Sequence, residues 1–478
     1  MNAWALVLAL AVVACPTEPA ASPEPDFSAF FSGRCLRLDT WHCGDAQQEK
    51  VVFDRFVHDG PWAGTRKNLV DSRDLGKYRL EVAAAADGRL LFRRGYSSIF
   101  GEWETTRPAL DGEWRVFHES ARFPEPLVPA VIRLFKRDRR GRFQPLFTRS
   151  FKPGRTRVED PPRGGAAERI ALGPLGEPAR KVDLLVMGDG YVAGERDTFL
   201  DDARRLIRRL FATSPFRERK ADFNVRALVP ASPVSGITDP RRKIWRGNAL
   251  GCRFDALGLD RYILTFENRR VREAAAGVPY DFLIVLCHSS KYGGGGIFNL
   301  YSTCSAGSPL APYVFVHEFG HAFAGLGDEY YSSNVSYADL GAPDVEPWEP
   351  NLTRLLEPGT LKWGDLLSKG TPLPTPWDQA GYDALARRCD ERRAALEKEG
   401  APAAALEAMT REKARLLSAF LEGQPFRGRV GAFEGAGYAA RGLFRPELNC
   451  LMFSRHASSF CRVCRRAILR AIDQEVLQ

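Results

Sequence analysis

The chain reads as a multidomain α+β protein: an antiparallel β-sandwich over residues 26–152, a linker over 153–176, and an α/β domain over 177–478 with a helical insertion at about 377–420. Three observations predict this. Short alternating apolar and polar runs separated by turn residues fill the first third. A continuous apolar run followed by a helical pattern opens the second part, and a charged Ala- and Leu-rich stretch with helical periodicity interrupts it later. A length of 478 residues with 44% hydrophobic content suffices for two or three cores.

Ahead of the sandwich, Ala3 to Val13 is apolar but too short to span a bilayer as a mature helix, so residues 1–22 are expected to form an export leader. No Lys or Arg precedes the run, and Val12-Val13-Ala14-Cys15 resembles a bacterial lipoprotein cleavage box. Lipidation of Cys15, tethering the chain to a membrane surface, is therefore the alternative to simple cleavage. Ten cysteines in an exported chain suggest disulfides, and the nine after Cys15 leave at least one unpaired or intermolecular. Cys35 with Cys43 would close a small loop, and Cys450 with Cys461 or Cys464 would staple the C-terminal segment. Cys461-Arg462-Val463-Cys464 is read as such a staple rather than a second zinc site, because only one such pair occurs and the compartment is oxidising. The net charge of +9 is spread among 59 acidic residues rather than gathered in a stripe, which excludes a nucleic-acid partner.

Within the sandwich, Tyr78 to Val82, Leu90 to Phe92 and Val131 to Phe135 are strands, with hairpin turns at Asp87-Gly88 and Arg139 to Arg142. Pro153 to Gly176 carries the Pro and Gly of a linker. Val182 to Met187 is a buried strand, followed by Gly188-Asp189-Gly190-Tyr191 and a helix from about Ala193 to Phe211. Further strands are expected at Phe223 to Val229 and Asp281 to Cys287. No dinucleotide or P-loop fingerprint accompanies the Gly188-x-Gly190 turn. Lys291 to Gly296, with four consecutive glycines, can approach another backbone closely, and is either a segment beside an edge strand that pairs with extended substrate or a plain flexible loop. Trp377 to Phe420, broken at Gly400-Ala401-Pro402, is a helical hairpin that packs on the domain or covers its cleft.

The chemistry concentrates in His317-Glu318-Phe319-Gly320-His321, which runs on to Gly325-Leu326-Gly327-Asp328-Glu329-Tyr330. Two histidines four apart project from one face of a helix, so both imidazoles can reach one metal, with Glu318 beside them to deprotonate a water. Only seven histidines occur in the chain, which makes the spacing meaningful. Pro312 can open the helix, and Gly325 and Gly327 can end it. A catalytic zinc usually takes three protein ligands, so a third is needed. Asp328 ranks first, because the chain can turn back after Gly325 and present its carboxylate, as in metzincin-type sites. It stands seven steps from His321 where six is usual, and Gly327 holds the expected slot. Glu329 ranks second, and Glu346 or Glu349, in Pro-rich sequence, last. Met452, one of four methionines, fits a Met-turn flooring the metal, or plain core filling.

These segments resemble secreted bacterial metallopeptidases of the immunoglobulin A peptidase family. The matched residues are Gly95 to Phe100 with Glu102-Trp103, Gly188 to Tyr191, Tyr292 to Gly294, His317 to Tyr330, Phe433 to Tyr438, and Asn449 to Met452 with Phe460-Cys461-x-x-Cys464. The resemblance implies an N-terminal β domain before a metzincin-like (zincin) catalytic domain, and a Zn2+ ion held by His317, His321 and Asp328. Glu318 would be the general base of peptide hydrolysis and Tyr438 the oxyanion donor, with Tyr330 and His456 as alternatives. The expected partner is an extracellular protein or peptide substrate. The competing reading is an exported module that binds glycan or protein through its β domain and keeps a structural zinc; the intact Glu318 counts against it.

Overall fold

The computed structural model describes residues 24–160, 169–332, 335, 337 and 341–476. The leader expected at residues 1–22, with Cys15, lies outside them.

The first part forms the expected antiparallel sandwich. Its elements in chain order are α1 (Phe27–Phe30), β1 (Phe31–Gly44), β2 (Glu49–Pro61), β3 (Tyr78–Ala84), β4 (Leu90–Tyr96), α2 (Ile99–Trp103), α3 (Arg107–Leu110), β5 (Arg115–Pro126), β6 (Ala130–Arg137) and β7 (Phe143–Phe151). One sheet has the order β2-β1-β5 and the other β4-β3-β6-β7. Leu36, Leu38 and Phe56 of the first sheet bury against Leu80, Val82, Phe92 and Ile132 of the second, as period-two alternation requires. The two predicted hairpin turns join β3 to β4 and β6 to β7.

The disulfide expectation fails here for a geometric reason. Cys35 and Cys43 lie on the same strand, eight residues apart, so at about 3.3 Å per residue they stand far beyond bridging reach. All nine described cysteines are free thiols.

The second part is built on a six-stranded sheet, and its first strand corrects the linker. Within the stretch expected to be a plain connector, Arg169–Ala171 forms β8, which pairs antiparallel with β10 (Phe223–Leu228). Between them run β9 (Val182–Asp189) and α4 (Arg196–Leu210). A small hairpin of β11 (Cys252–Arg253) and β12 (Leu264–Thr265) precedes α5 (Asn268–Ala275), followed by β13 (Phe282–Cys287), β14 (Gly294–Ile297), β15 (Tyr301–Ser305) and α6 (Ala311–Ala324). The sheet order is β14-β15-β13-β9-β10-β8, with parallel pairing inside and an antiparallel strand at each edge.

Both faces of this sheet are covered, which is why β9 reads as an unbroken apolar run. Val182, Leu184 and Val186 face α4, α6 and α9 (Arg462–Glu475). Leu185 and Met187, with Leu283 and Val285, share a core with Ile99, Phe100, Trp103 and Phe117 of the sandwich. The sandwich is thus packed onto the rear of the sheet rather than tethered beside it.

The predicted insertion is a helical hairpin, α7 (Gln379–Lys398) and α8 (Ala403–Glu422), broken by Gly400 as expected. It packs through Tyr382 on Phe453 and through the Tyr331 hydroxyl, which donates to Asp383 at 2.7 Å. None of its residues lines the cleft described below, so it is packing rather than a lid. A last hairpin, β16 (Phe433–Ala436) and β17 (Ala439–Arg445), returns the chain towards that cleft.

Candidate metal centre

Helix α6 carries the His-Glu-x-x-His segment. Pro312 occupies its first turn, where no intrahelical N–H is needed, and Gly325 caps it in the left-handed region at φ 64°. The Gly325 N–H donates to the His321 carbonyl and the Leu326 N–H reaches back to the Gly320 carbonyl, which reverses the chain after one turn. On its open side the helix is crossed by β14 at backbone contact. A Cβ at Gly296 would stand 2.3 Å from the Glu318 carbonyl and one at Gly294 2.5 Å from Val314 Cγ1, so the glycine run exists for this crossing. Lys291 to Gly293 lead into β14, the edge strand of the sheet; at Gly294 the outward groups already pair with the Arg261 carbonyl and the Ile263 N–H, while Gly296 lines the cleft.

Three acceptor atoms converge beside that helix. His317 Nε2 lies 3.0 Å and His321 Nε2 3.3 Å from Asp328 Oδ1, and the two Nε2 atoms are 3.2 Å apart. Three ligands at about 2.0–2.1 Å from one tetrahedral zinc would stand about 3.3 Å apart, so the triangle has the right size. The other ring nitrogens are spent on backbone. His317 Nδ1 donates to the Leu451 carbonyl at 3.0 Å and His321 Nδ1 to the Leu326 carbonyl. Each ring therefore turns its Nε2 towards a carboxylate oxygen that is buried without a hydrogen-bond partner, and that Nε2 offers a lone pair to a metal once its proton is displaced. Three lone pairs facing one another call for a cation, and the residues present fit one.

In the metal-free chain a proton on His321 supplies that positive charge. Burial disfavours charge on His321, yet Asp328 beside it lifts its pKa to about 9. Burial would likewise raise Asp328, but the two histidines hold it well below the usual carboxylate range. Glu318 is pushed up, first by burial. All four side chains line a cleft of about 890 Å³. Its opposite wall comes from the sandwich: Lys77, Glu102, Glu104, Lys136 and Arg137. Glu102 accepts from the Tyr262 hydroxyl at 3.3 Å and from Tyr337, and burial raises its pKa.

The remaining sequence-derived candidates sort clearly. Glu329 turns away from the histidines, and its Oε1 lies 3.1 Å from Cys464 Sγ and 3.8 Å from Cys461 Sγ. Glu346 accepts from Thr353 Oγ1 at 2.9 Å, and so belongs to the loop that follows. Tyr438 sits at φ 65° and donates its hydroxyl to Asp328 Oδ2, while the Tyr330 ring stacks 6.2 Å from His317. His456 does not line the cleft. Met452 lies fully buried beneath α6, with its sulfur close to Gly320. Sequence reasoning missed Asn351. Its amide accepts from the Gly327 N–H at 2.7 Å, donates to the Gly327 carbonyl at 2.9 Å and donates to Glu329 at 3.0 Å, fixing the path that delivers Asp328. A lone Asn 24 residues downstream gives no local signal.

A helix with two histidines four apart, a carboxylate returned by its left-handed cap, and a cleft beside a mixed sheet define the class: a metallopeptidase. Comparison with known families agrees. The description "IgA Peptidase M64" matches residues 170–472 and "Peptidase M64 N-terminus" matches residues 26–148. The chain belongs to the IgA peptidase M64 family. A search of curated proteins gives no match.

Proposed function

We propose that this chain is an exported, zinc-dependent endopeptidase acting on extracellular protein or peptide. The observation that carries the reading is the triangle of His317, His321 and Asp328 acceptors on a cleft wall that also presents Glu318. Two imidazoles and a carboxylate are a catalytic zinc donor set. When bound, zinc supplies Lewis acidity, acidifying a water and polarising the scissile carbonyl. Glu318, raised by burial, takes the proton of the attacking water and delivers it to the leaving amine. Leu451 and Leu326 keep both rings in the tautomer that leaves Nε2 free. Tyr438 is assigned two successive contacts, with Asp328 in the resting chain and with the developing oxyanion once a carbonyl occupies the cleft. Export rests on the leader pattern of residues 1–22, with Cys15 lipidation as the form that would leave the enzyme tethered. Among the described residues no helix is long and apolar enough to cross a membrane.

The test is cleavage of a mixed protein and peptide library by wild type and Glu318→Ala, with metal content measured on both. Loss of about 10²–10⁴-fold in rate with zinc retained is expected. Equal rates would sink the mechanism, and zinc without cleavage by wild type would favour the binding module.

A further inference from the structure

The cysteines of the C-terminal segment do not form the staple expected of them; they gather around Glu329. Cys450, Cys461, Cys464 and Glu329 are all buried, and their ligand atoms lie within 4.8 Å of one another. Glu329 Oε1 accepts from Asn351 at 3.0 Å, whereas Oε2 is buried with no partner. Backbone N–H groups aim at the sulfurs: those of Met452 and Cys461 at Cys450 Sγ, at 3.5 and 3.2 Å, and that of Cys464 at Cys461 Sγ, at 3.4 Å. These N–H donors favour thiolate, but burial at Cys461, and burial together with neighbouring thiols at Cys464, push those thiols up. Holding all three sulfurs as thiolates therefore takes a cation among them.

We propose that these four residues form a second, structural zinc site. Three thiolates and one carboxylate make a closed four-ligand set with no position left for water, and a thiolate-rich tetrahedral set selects zinc among common divalent ions. The dication and the fully buried Arg445, whose charge is felt at Glu329 and Cys450, together offset most of the four negative charges. A disulfide is the poorer solution for this geometry. It would consume two sulfurs and leave the third, with the Glu329 carboxylate, buried and uncompensated. A single Cys-x-x-Cys was weak grounds for zinc in the sequence; the fold supplies the other two ligands.

The site has a positioning role because its ligands adjoin the residues of the first centre. Glu329 follows Asp328 directly, and its N–H donates to the Met452 carbonyl at 2.9 Å. Cys450 precedes Leu451, whose carbonyl orients His317. One ion would therefore tie the loop after α6, the turn at 450–452 and α9 together beneath the cleft.

The experiment uses the full mature chain. Wild type is expected to carry two zinc ions per chain, and the double variant His317→Ala/His321→Ala one. X-ray absorption on that variant should show a sulfur-dominated shell at about 2.3 Å. Cys461→Ser/Cys464→Ser should lose one zinc and melt at lower temperature. If that variant fails to fold, the histidine variant still decides the matter, since it leaves the thiols intact. A histidine variant free of zinc, or a non-reduced mass 2 Da low from a disulfide among the three cysteines, would overturn the proposal. Neither result depends on whether the chain cleaves peptides.

Discussion

Two of the buried clusters of histidine and carboxylate among the described residues, one in each half of the molecule, fill the second ring nitrogen differently. In the sandwich, His42 offers Nδ1 to Glu119 at 2.9 Å and Nε2 to Glu49 at 3.0 Å, with its ring stacked 4.0 Å from Phe100. Each nitrogen meets an acceptor, so the ring carries a proton on both. Burial opposes that charge, but Glu119 and Glu49 outweigh it and raise the pKa to about 9. At the cleft, each ring gives one nitrogen to a backbone carbonyl and turns the other towards further lone pairs. The first cluster is closed by side chains alone, whereas the second gathers three ligand atoms that one cation would join. Proximity of His to Asp or Glu does not separate the two cases; the partner of the second nitrogen does.

The strongest break of this contrast is Asp328→Ala. It should abolish both metal retention at the histidines and detectable cleavage, measured by zinc content and peptide turnover; unchanged zinc at the histidines would mean that the triangle has been misread. Next comes pH. Metal binding requires a neutral His321, whose metal-free pKa of about 9 means that protons compete below that value. Zinc affinity should therefore fall about tenfold per pH unit below about pH 9, as read by competition with a chelator. A flat profile between pH 7 and 9 would contradict the assignment. Tyr438→Phe, which removes the hydroxyl resting on Asp328, should lower turnover by about 10–100-fold with the fold intact.

The smallest effect belongs to the sandwich. His42 is protonated in the folded chain and has a folded pKa raised above its unfolded value, so its stabilisation is full below about pH 6.5 and is lost as pH rises through about 9. The loss should be on the order of 3 kcal/mol. Denaturant curves across pH 6 to 9.5 should show this slope in wild type and lack it in His42→Gln. The same slope in both would remove His42 as its source.

The His-Glu-x-x-His segment was legible because it is local. Helical periodicity places His317 and His321 together, and a glycine that can adopt φ 64° explains how Asp328 returns. Spacing could not decide between Asp328 and Glu329, since two adjacent side chains on an extended segment face opposite ways and only the fold says which faces the histidines. The sandwich, the buried strands and the helical hairpin follow from period and turn chemistry. His42 with Glu49 and Glu119, Asn351, and the gathering of Cys450, Cys461 and Cys464 on Glu329 did not follow. Their partners come from separate strands and loops, and no periodicity links such positions. The glycine run was legible as a close backbone approach, but not which backbone it meets. Its purpose is a backbone crossing over α6, visible only once Gly296 and the Glu318 carbonyl are side by side.

The core shared by Ile99, Phe100, Trp103 and Phe117 with Leu185, Met187, Leu283 and Val285 bears on how this enzyme can be handled. A fragment starting at residue 170 would keep every residue of the metal centre yet present one face of its central sheet to water, which favours aggregation over folding. The point where the two family descriptions meet is thus a seam between sequences, not a place to cut the chain. An enzyme whose rear sheet face is sealed by its own first domain has to be made and folded as one body.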